Sequence, residues 1–201
     1  MKSGKKIVKN IRHLHRPVNT KHMKTLMKIL IFCLVFPFGA MKGQAQIPVD
    51  EDTKKVTYRD VINEQGSPEQ LYNRAIGWIN SFYANPSDVT KIRDAENGKI
   101  VAKHRIKVCN IDENGNKTLQ CEIVEYELTL EFKEGKYRYT FTDFNVNKTS
   151  KFPLERWLDK NDPQYTAVCD IYLQQLDEEV NNVIQKMKDG MKPPVIKDDN
   201  W

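Results

Sequence analysis

The sequence predicts an α+β domain built in the order β-α-β(4)-α, with both helices on one face of an antiparallel sheet. Three observations predict this class. Residues 121–145 alternate apolar and polar side chains on both sides of a glycine turn, which is the pattern of a β-hairpin. Residues 67–83 and 163–188 each carry apolar side chains at helical spacing. Because each strand has one apolar face, the two helices should cover that face and leave the other to solvent.

The central hairpin turns at Glu134-Gly135, where glycine reaches positive φ without a Cβ clash. A two-residue turn at this position fixes the register of the two strands. It predicts apolar pairs on one face and polar pairs on the other: Phe132 with Tyr137, Leu130 with Tyr139, Leu128 with Phe141, Glu131 with Arg138, and Thr129 with Thr140. Apolar side chains therefore meet apolar ones and opposite charges meet, so the pattern and the turn agree.

Residues 1–45 are predicted to be a secretory signal peptide with a basic leader, separate from the domain. They contain ten Lys and Arg residues and no acid, and an apolar run follows from Leu26 to Ala40, interrupted by Pro37. The run is short for a membrane span. We therefore expect cleavage after Ala45, a mature chain that begins at Gln46 without a membrane span, and an exported protein, periplasmic or secreted. The alternative is a leader retained as a membrane anchor.

Removing the leader reverses the net charge of the protein. The whole chain has 32 basic and 27 acidic residues, for a net charge of +5. Without the ten basic residues of the leader, 22 basic residues remain against 27 acidic ones, for a net charge of −5. The basicity therefore belongs to the leader and gives no argument for nucleic acid as a partner. The remaining length suits one domain, predicted over residues 46–190 and followed by a polar tail over residues 191–201.

The first helix of the mature chain has clear start and stop signals. A first strand is predicted over Lys55–Ile62, and Ser67 follows as an N-cap. Pro68 occupies the first helical position and Gln70 completes a capping box. Asn85-Pro86 ends the helix, because the residue before a proline is disfavoured in helical conformation.

The second half of the chain supplies the remaining strands and the second helix. Residues 88–94 are a weak strand candidate, and the Asn97-Gly98 turn connects them to a strand over residues 99–108. A polar loop is predicted over residues 110–120. Residues 147–161 look irregular, with a helical turn at Leu154–Leu158, and the last helix should run from about Pro163 to Lys188.

Four stretches resemble motifs of one protein family. Leu71-Tyr72, Arg74-Ala75 and Trp78 look like its LYxRAxxW stretch, and Gly98-Lys99-Ile100 is similar to its GKI turn. Residues 134–139 (EGKYRY) resemble its DGKYRY turn with Glu in place of Asp, and residues 47–50 (IPVD) also fit. The family is a secreted domain of unknown function, numbered 4468, described as TBP-like in fold and found mainly in Bacteroidota. The resemblance spans about residues 47–145 and implies a TBP-like fold and an envelope location, with no established activity to carry over.

Charge selects one register between the strand over residues 99–109 and the strand over residues 121–132. That register sets three opposite charges face to face: Arg105 with Glu125, Lys103 with Glu127, and Lys99 with Glu131. A shift by two residues in either direction loses at least one of them. The same register brings Cys109 directly opposite Cys121. A disulfide, which an oxidising periplasm would favour, and two free thiols are both compatible with the sequence, and Cys169 would stay unpaired.

Residue types that carry catalysis or bind metals are scarce. His104 is the only histidine of the mature chain and lies on the apolar phase of its strand, which favours a hydrogen-bonded core histidine over a catalyst. Cys109, Cys121 and Cys169 lack metal-ligand spacing. The acids at 177–179 are typical of a solvated helix face. We therefore predict no catalytic residue, no metal site and no cofactor.

Two classes of function remain. The first is a non-catalytic envelope interaction or binding module that contacts an envelope protein or glycan through the solvent face of its sheet, at Glu127, Thr129, Arg138 and Thr140. The alternative is an envelope hydrolase whose acids the sequence does not identify. DNA binding is excluded, because TBP-like DNA-binding sheets use apolar wedges and an excess of Arg or Lys. Here the basic residues of the solvent face are balanced by three glutamates, Glu125, Glu127 and Glu131.

Overall fold

The computed structural model describes residues 47–148 and 150–194 of the chain. The predicted signal peptide, its cleavage site at Ala45 and Gln46, and the last seven residues of the polar tail lie outside the described residues. The elements are β1 Tyr58–Asn63, α1 Pro68–Phe82, α2 Pro86–Val89, β2 Thr90–Asp94, β3 Lys99–Ile111, β4 Lys117–Lys133, β5 Lys136–Val146, β6 Phe152–Pro153, a 3-10 turn Leu154–Trp157, and α3 Ala167–Gly190.

The six strands form one antiparallel sheet in the spatial order β1-β5-β4-β3-β2, and β6 also pairs with β5. The register of the central hairpin is confirmed from Phe132 opposite Tyr137 to Leu128 opposite Phe141. The register chosen by charge is also confirmed, with Arg105 opposite Glu125. The two long helices, α1 and α3, pack on the apolar face of the sheet, as the alternation of the strands predicts.

The first helix begins as its sequence signals indicate. The Ser67 hydroxyl oxygen accepts a hydrogen bond from the Gln70 N–H at 3.2 Å, and the Ser67 N–H donates to Gln70 Oε1 at 3.0 Å. This capping box satisfies two backbone groups that the start of a helix would otherwise leave without partners. The capped start fixes the face that α1 turns toward the core, with Leu71, Ala75 and Trp78 buried.

The last helix begins later than its apolar pattern suggests, at Ala167 instead of about Pro163. The Asp162 carboxylate accepts two hydrogen bonds from the Arg156 guanidinium, at 2.7 and 3.0 Å, and one from the Gln164 N–H at 2.8 Å. These bonds hold the backbone in turns up to Tyr165, whose N–H donates to the Asp162 carbonyl. A side chain that bonds nearby backbone groups competes with the helix in this way.

Two local predictions are wrong in their bounds. The polar loop predicted over residues 110–120 is confined to residues 112–116, because β3 and β4 continue past the core. Polar side chains support this extension: the Asn110 amide donates to Gln120 Oε1 across the two strands at 2.9 Å. The strand predicted over 88–94 starts only at Thr90, after the short helix α2. The two-residue strand β6, Phe152–Pro153, lies within residues 147–161, which the sequence predicts to be irregular.

A disulfide joins Cys109 and Cys121, whose Cα atoms lie 4.0 Å apart across β3 and β4. Cys109 therefore belongs to a pair without backbone hydrogen bonds between the two strands, since such pairs approach more closely than hydrogen-bonded ones. Cys169 is a free, buried thiol on α3.

Candidate functional site

The four residues predicted to bind a partner lie together on the solvent face of β4 and β5. Glu127 Oε2 is 3.2 Å from the Lys103 Nζ, and the Arg138 Nη2 is 2.6 Å from Glu131 Oε2. Thr129 and Thr140 are directly opposite each other between these ion pairs. We call this set the wet-face patch: Glu127, Thr129, Arg138 and Thr140. Exposed ion pairs contribute only about 0–1 kcal/mol each, so a partner can replace them at little loss of stability.

A second surface lies at the outer edge of β3, which the sequence did not predict. The last pair between β2 and β3 joins Thr90 to Ala102. Beyond it, no strand of the described residues pairs with the outer side of residues 104–108, and we call this segment the open edge. It ends at Cys109, whose backbone is bonded by a side chain of α3: the Cys109 N–H donates to Gln175 Oε1 at 3.1 Å, and the Gln175 amide donates to the Cys109 carbonyl at 2.7 Å.

The bonds from Gln175 show which way the backbone of the open edge points. Cys109 turns its N–H and C=O away from β4, toward α3. Strand geometry repeats every two residues, and the pairing of β3 with β4 shows no shift between Lys99 and Cys109. Arg105 and Lys107 therefore also point their backbone donors and acceptors outward, along the open edge.

Two clefts flank the open edge. The larger, about 760 Å³, lies on the core side and is lined by the end of α1, by Ile106 and His104, and by Glu178 and Val183 of α3. We call it the helix-side cleft. The smaller, about 470 Å³, lies beside the segment that joins α1 to β2 and also includes His104 and Arg105. The open edge therefore runs between two concave surfaces.

His104 is not the hydrogen-bonded core residue that its strand phase suggests. Its side chain is exposed, and it makes no hydrogen bond to any described residue. The prediction is wrong because α1 ends at Phe82, so neither helix covers the sheet above His104. The imidazole instead packs edge-on against Tyr83, with ring centroids 4.8 Å apart. The sequence does carry a signal that this part of the sheet is not covered. His104 is the one polar residue in the otherwise apolar series Ile100, Ala102, Ile106 and Val108.

Two tyrosines form the back of the helix-side cleft. The hydroxyls of Tyr83 and Tyr126 are 3.2 Å apart and form one hydrogen bond in the interior. Burial raises the pKa of Tyr83 to about 12, and it also raises the pKa of Tyr126. Both hydroxyls therefore stay protonated near neutral pH and present a neutral surface to the cleft.

The acids of α3 divide into two environments. Glu178 and Glu179 are exposed and line the helix-side cleft, in agreement with a solvated helix face. Asp177 differs, because it accepts a hydrogen bond from the Tyr58 hydroxyl at 2.9 Å and so links α3 to β1. Among the described residues, no group of three or more His, Cys, Asp or Glu side chains is placed to hold a metal ion. Within the same residues, no helix is both long enough and apolar enough to cross a membrane.

We expect the imidazole of His104 to titrate below its ordinary pKa of about 6.5. Partial burial of the ring, which keeps one side in solvent, lowers its pKa by disfavouring the charged form, and the nearby Arg105 charge lowers it further. The neutral imidazole favours the folded state above pH 6.5, and this contribution is lost as the pH falls through the folded-state pKa. An NMR titration of the assigned His104 resonance measures the midpoint.

Two variants separate the causes of that shift. Arg105→Gln should raise the midpoint without restoring 6.5, because burial is the larger cause. Lys186→Gln removes a charge on the exposed side of α3 and should leave the midpoint unchanged. A wild-type midpoint at or above 6.5 would contradict the described surroundings of His104.

Comparisons with known proteins agree on the fold. The profile of a family described as "domain of unknown function (DUF4468) with TBP-like fold" matches residues 58–147. A solved DUF4468 family protein from Bacteroides ovatus is 15% identical over 74% of this chain and 93% of its own, with a TM-score of 0.58. A TBP-like protein from Parabacteroides distasonis is 14% identical over 72% of this chain and 96% of its own, with a TM-score of 0.57. No curated protein matches the chain.

Proposed function

The chain carries a domain of the DUF4468 family with a TBP-like fold, and from that premise we propose that it is an exported, non-catalytic binding module of the cell envelope. The basic leader and apolar run of residues 1–45 support export. The net charge of −5 that remains after the leader supports a protein or glycan partner over nucleic acid.

The observation that carries the proposal is the uncovered face of the sheet. Both long helices pack on the apolar side, so neither covers the solvent side of β3, β4 and β5, which the segment after β5 borders near Glu125 and Glu127. This side presents the ion pairs Lys103–Glu127 and Arg138–Glu131. Their cations reach solvent, because the Arg138 side chain is 48% exposed and the Lys103 side chain is 46% exposed. A flat surface with charges of both signs suits a polar partner that brings its own donors and acceptors.

The alternative is an envelope hydrolase. The feature that favours it is the helix-side cleft, where His104 lies near Glu178 and Glu179. A general base needs a positioned partner within hydrogen-bond reach. Among the described residues, no hydrogen bond joins His104 to a carboxylate, so the binding module is the function that the geometry supports better.

Crosslinking in intact envelopes of the native host tests the proposal. The tagged full chain should capture an envelope protein or glycan. The tagged protein recovered in that complex should itself begin at Gln46. Capture of nothing, or an intact leader on the envelope form, would contradict the proposal.

We expect the wet-face patch to be required for that capture. Glu127→Lys combined with Arg138→Glu should abolish it, because both of the native pairs become repulsive pairs while the net charge is unchanged. Folding should persist, since the Arg138 side chain is 48% exposed and the half-buried Glu127 side chain, 25% exposed, still reaches solvent. The matched control is Glu113→Lys with Lys186→Glu, which exchanges two exposed charges away from this face and should retain capture. Full capture by the first double variant would move the contact to another surface.

A further inference from the structure

We infer that the open edge of β3 binds an extended peptide segment of a partner protein, in which acidic residues alternate with apolar ones. The segment would add to the sheet as one more strand, at a place distinct from the wet-face patch. This inference rests on the proposed binding function and names the chemistry of one partner.

Backbone groups supply the first part of the argument. Arg105 and Lys107 point their N–H and C=O groups outward, and no described strand pairs with them. A row of unpaired strand donors and acceptors is a template for another strand. At the next outward position the protein itself supplies the partner, since the Gln175 amide bonds both backbone groups of Cys109 as a strand would. The edge is therefore closed at Cys109 and free before it.

Side-chain charge defines one face of the added strand. Arg105 and Lys107 both extend from the open edge toward the solvent side of the sheet. Lys107 is opposite Ile123 in β4 and has no acid across from it. Arg105 gives only its Nε to Glu125, at 3.3 Å, which leaves its two terminal nitrogens without a partner among the described residues. Acids two residues apart on the added strand would meet these two cations.

The helix-side cleft defines the other face. Residues of the added strand that alternate with the acids would point toward the core side, where Ile106, Tyr83 and Val183 line the cleft. The tyrosine hydroxyls behind it are neutral and already bonded to each other. Apolar side chains fit the part of the cleft that these three residues line, while its rim carries both carboxylates, Glu178 and Glu179, and cations, Arg105, Lys107 and Lys117.

The same charges argue against two other occupants. A second copy pairing antiparallel through this edge would set Arg105 and Lys107 against the same basic residues, so like charges would face each other. The chain's own tail, residues 195–201, has its acids side by side at Asp198 and Asp199. Adjacent residues of a strand point to opposite faces, so these acids cannot both meet the cations.

Binding of capped synthetic peptides to the purified chain, measured by calorimetry, tests the inference. An eight-residue peptide alternating Glu and Val should bind. A peptide with Lys in place of Glu, and one with the same composition but grouped acids, should not bind. Backbone N-methylation of the peptide offers a test that leaves the protein unchanged. Methyl groups on every second residue should abolish binding when those residues point their N–H groups at β3, and should be tolerated when the alternate residues, which point away, carry them. Equal binding of the alternating and grouped peptides would overturn the inference.

Protein variants locate the peptide. Arg105→Glu with Lys107→Glu should weaken binding by about tenfold or more. Lys186→Glu is the control for charge and should bind as the wild type. If the double variant does not fold, Lys107→Gln and the N-methylated peptides still decide the outcome. If the protein forms a dimer that the peptide dissociates, the edge binds a second copy and the inference is overturned. If deletion of residues 195–201 makes the peptide bind more tightly, the edge binds the tail and the inference is likewise overturned.

This experiment and the envelope experiment fail separately. Absence of peptide binding with persistent envelope capture would remove the strand-addition site and leave the proposed function standing. Peptide binding without any envelope capture would contradict the proposed function and leave the peptide site in place.

Discussion

Replacing Trp78 with alanine is expected to lower the free energy of unfolding by about 3–5 kcal/mol. The indole is 4% exposed. It stacks on Phe82 at 5.4 Å between ring centroids and meets Tyr83 edge-on at 5.7 Å. Its other neighbour is Gly190 near the end of α3, so the indole fills the space between the two long helices as well as covering the core. Urea unfolding of the purified variant measures the loss.

Gly190 provides the test that the lost contact is the one described. A Cβ atom at Gly190 would lie 2.8 Å from Cδ1 of Trp78, so Gly190→Ala should destabilise the wild type by about 1–3 kcal/mol. In the Trp78→Ala background the contacts with Cδ1 and Cγ are absent and only the one with the Cβ atom, at 2.9 Å, remains, so the same change should cost clearly less than in the wild type. Gly77→Ala is the matched control, because a Cβ there meets nothing within 4 Å and alanine favours the helix.

An unchanged unfolding midpoint in Trp78→Ala would contradict the placement of α1. Additive effects of Trp78→Ala and Gly190→Ala would contradict the contact between the two helices. Both results come from the same set of four proteins, so the packing of α1 on α3 is tested independently of any function.

Loss of the Cys109–Cys121 disulfide should lower the free energy of unfolding by about 2–3 kcal/mol, because it removes a constraint on the unfolded chain. The bonded cysteines are separated by 12 in sequence, so the closed loop is short and the gain is at the modest end of the range. The change is Cys109→Ser with Cys121→Ser. The hydrogen bonds from Gln175 reach only the backbone of Cys109 and should survive it.

Reduction and mass measurement control that experiment. Wild-type protein unfolded in the presence of reductant should match the double variant. In protein that begins at Gln46, alkylation after unfolding without reductant should label a single thiol, Cys169. Labelling of three thiols, or equal stability of wild type and variant under oxidising conditions, would contradict the bond.

The sheet could be predicted from sequence in detail because its information is local and redundant. The turn at Glu134-Gly135 and the alternation on both sides of it agree on one register, and the structure has it. Between β3 and β4, apolar phase alone leaves several registers, and the ion pair of Arg105 with Glu125 selects among them. The capped start of α1 is equally local, since Ser67 and Gln70 bond each other.

The features that sequence did not reveal depend on distant contacts. The open edge exists because the pairing of β2 with β3 extends only from Asp94 back to Thr90 and because α1 ends at Phe82. The sequence signals that set these two ends do not indicate which part of β3 is left without a neighbour. Gln175 has no sequence signal, because its partner Cys109 belongs to another element. The late start of α3 follows from Asp162, whose bond to Arg156 outweighs a continuous apolar stripe.

The placement of β1 has a consequence for how the protein is made. The first strand pairs only with the fifth, and the Val56 N–H donates to Glu155, beyond the fifth strand. The strands β3, β4 and β5 are neighbours in sequence and can pair early in folding. The N-terminal strand β1 can pair only after β5, the last of these three, has been formed. Completion of the sheet is therefore a late, non-local step. The sheet of this domain therefore stays incomplete until the C-terminal half of the chain is present.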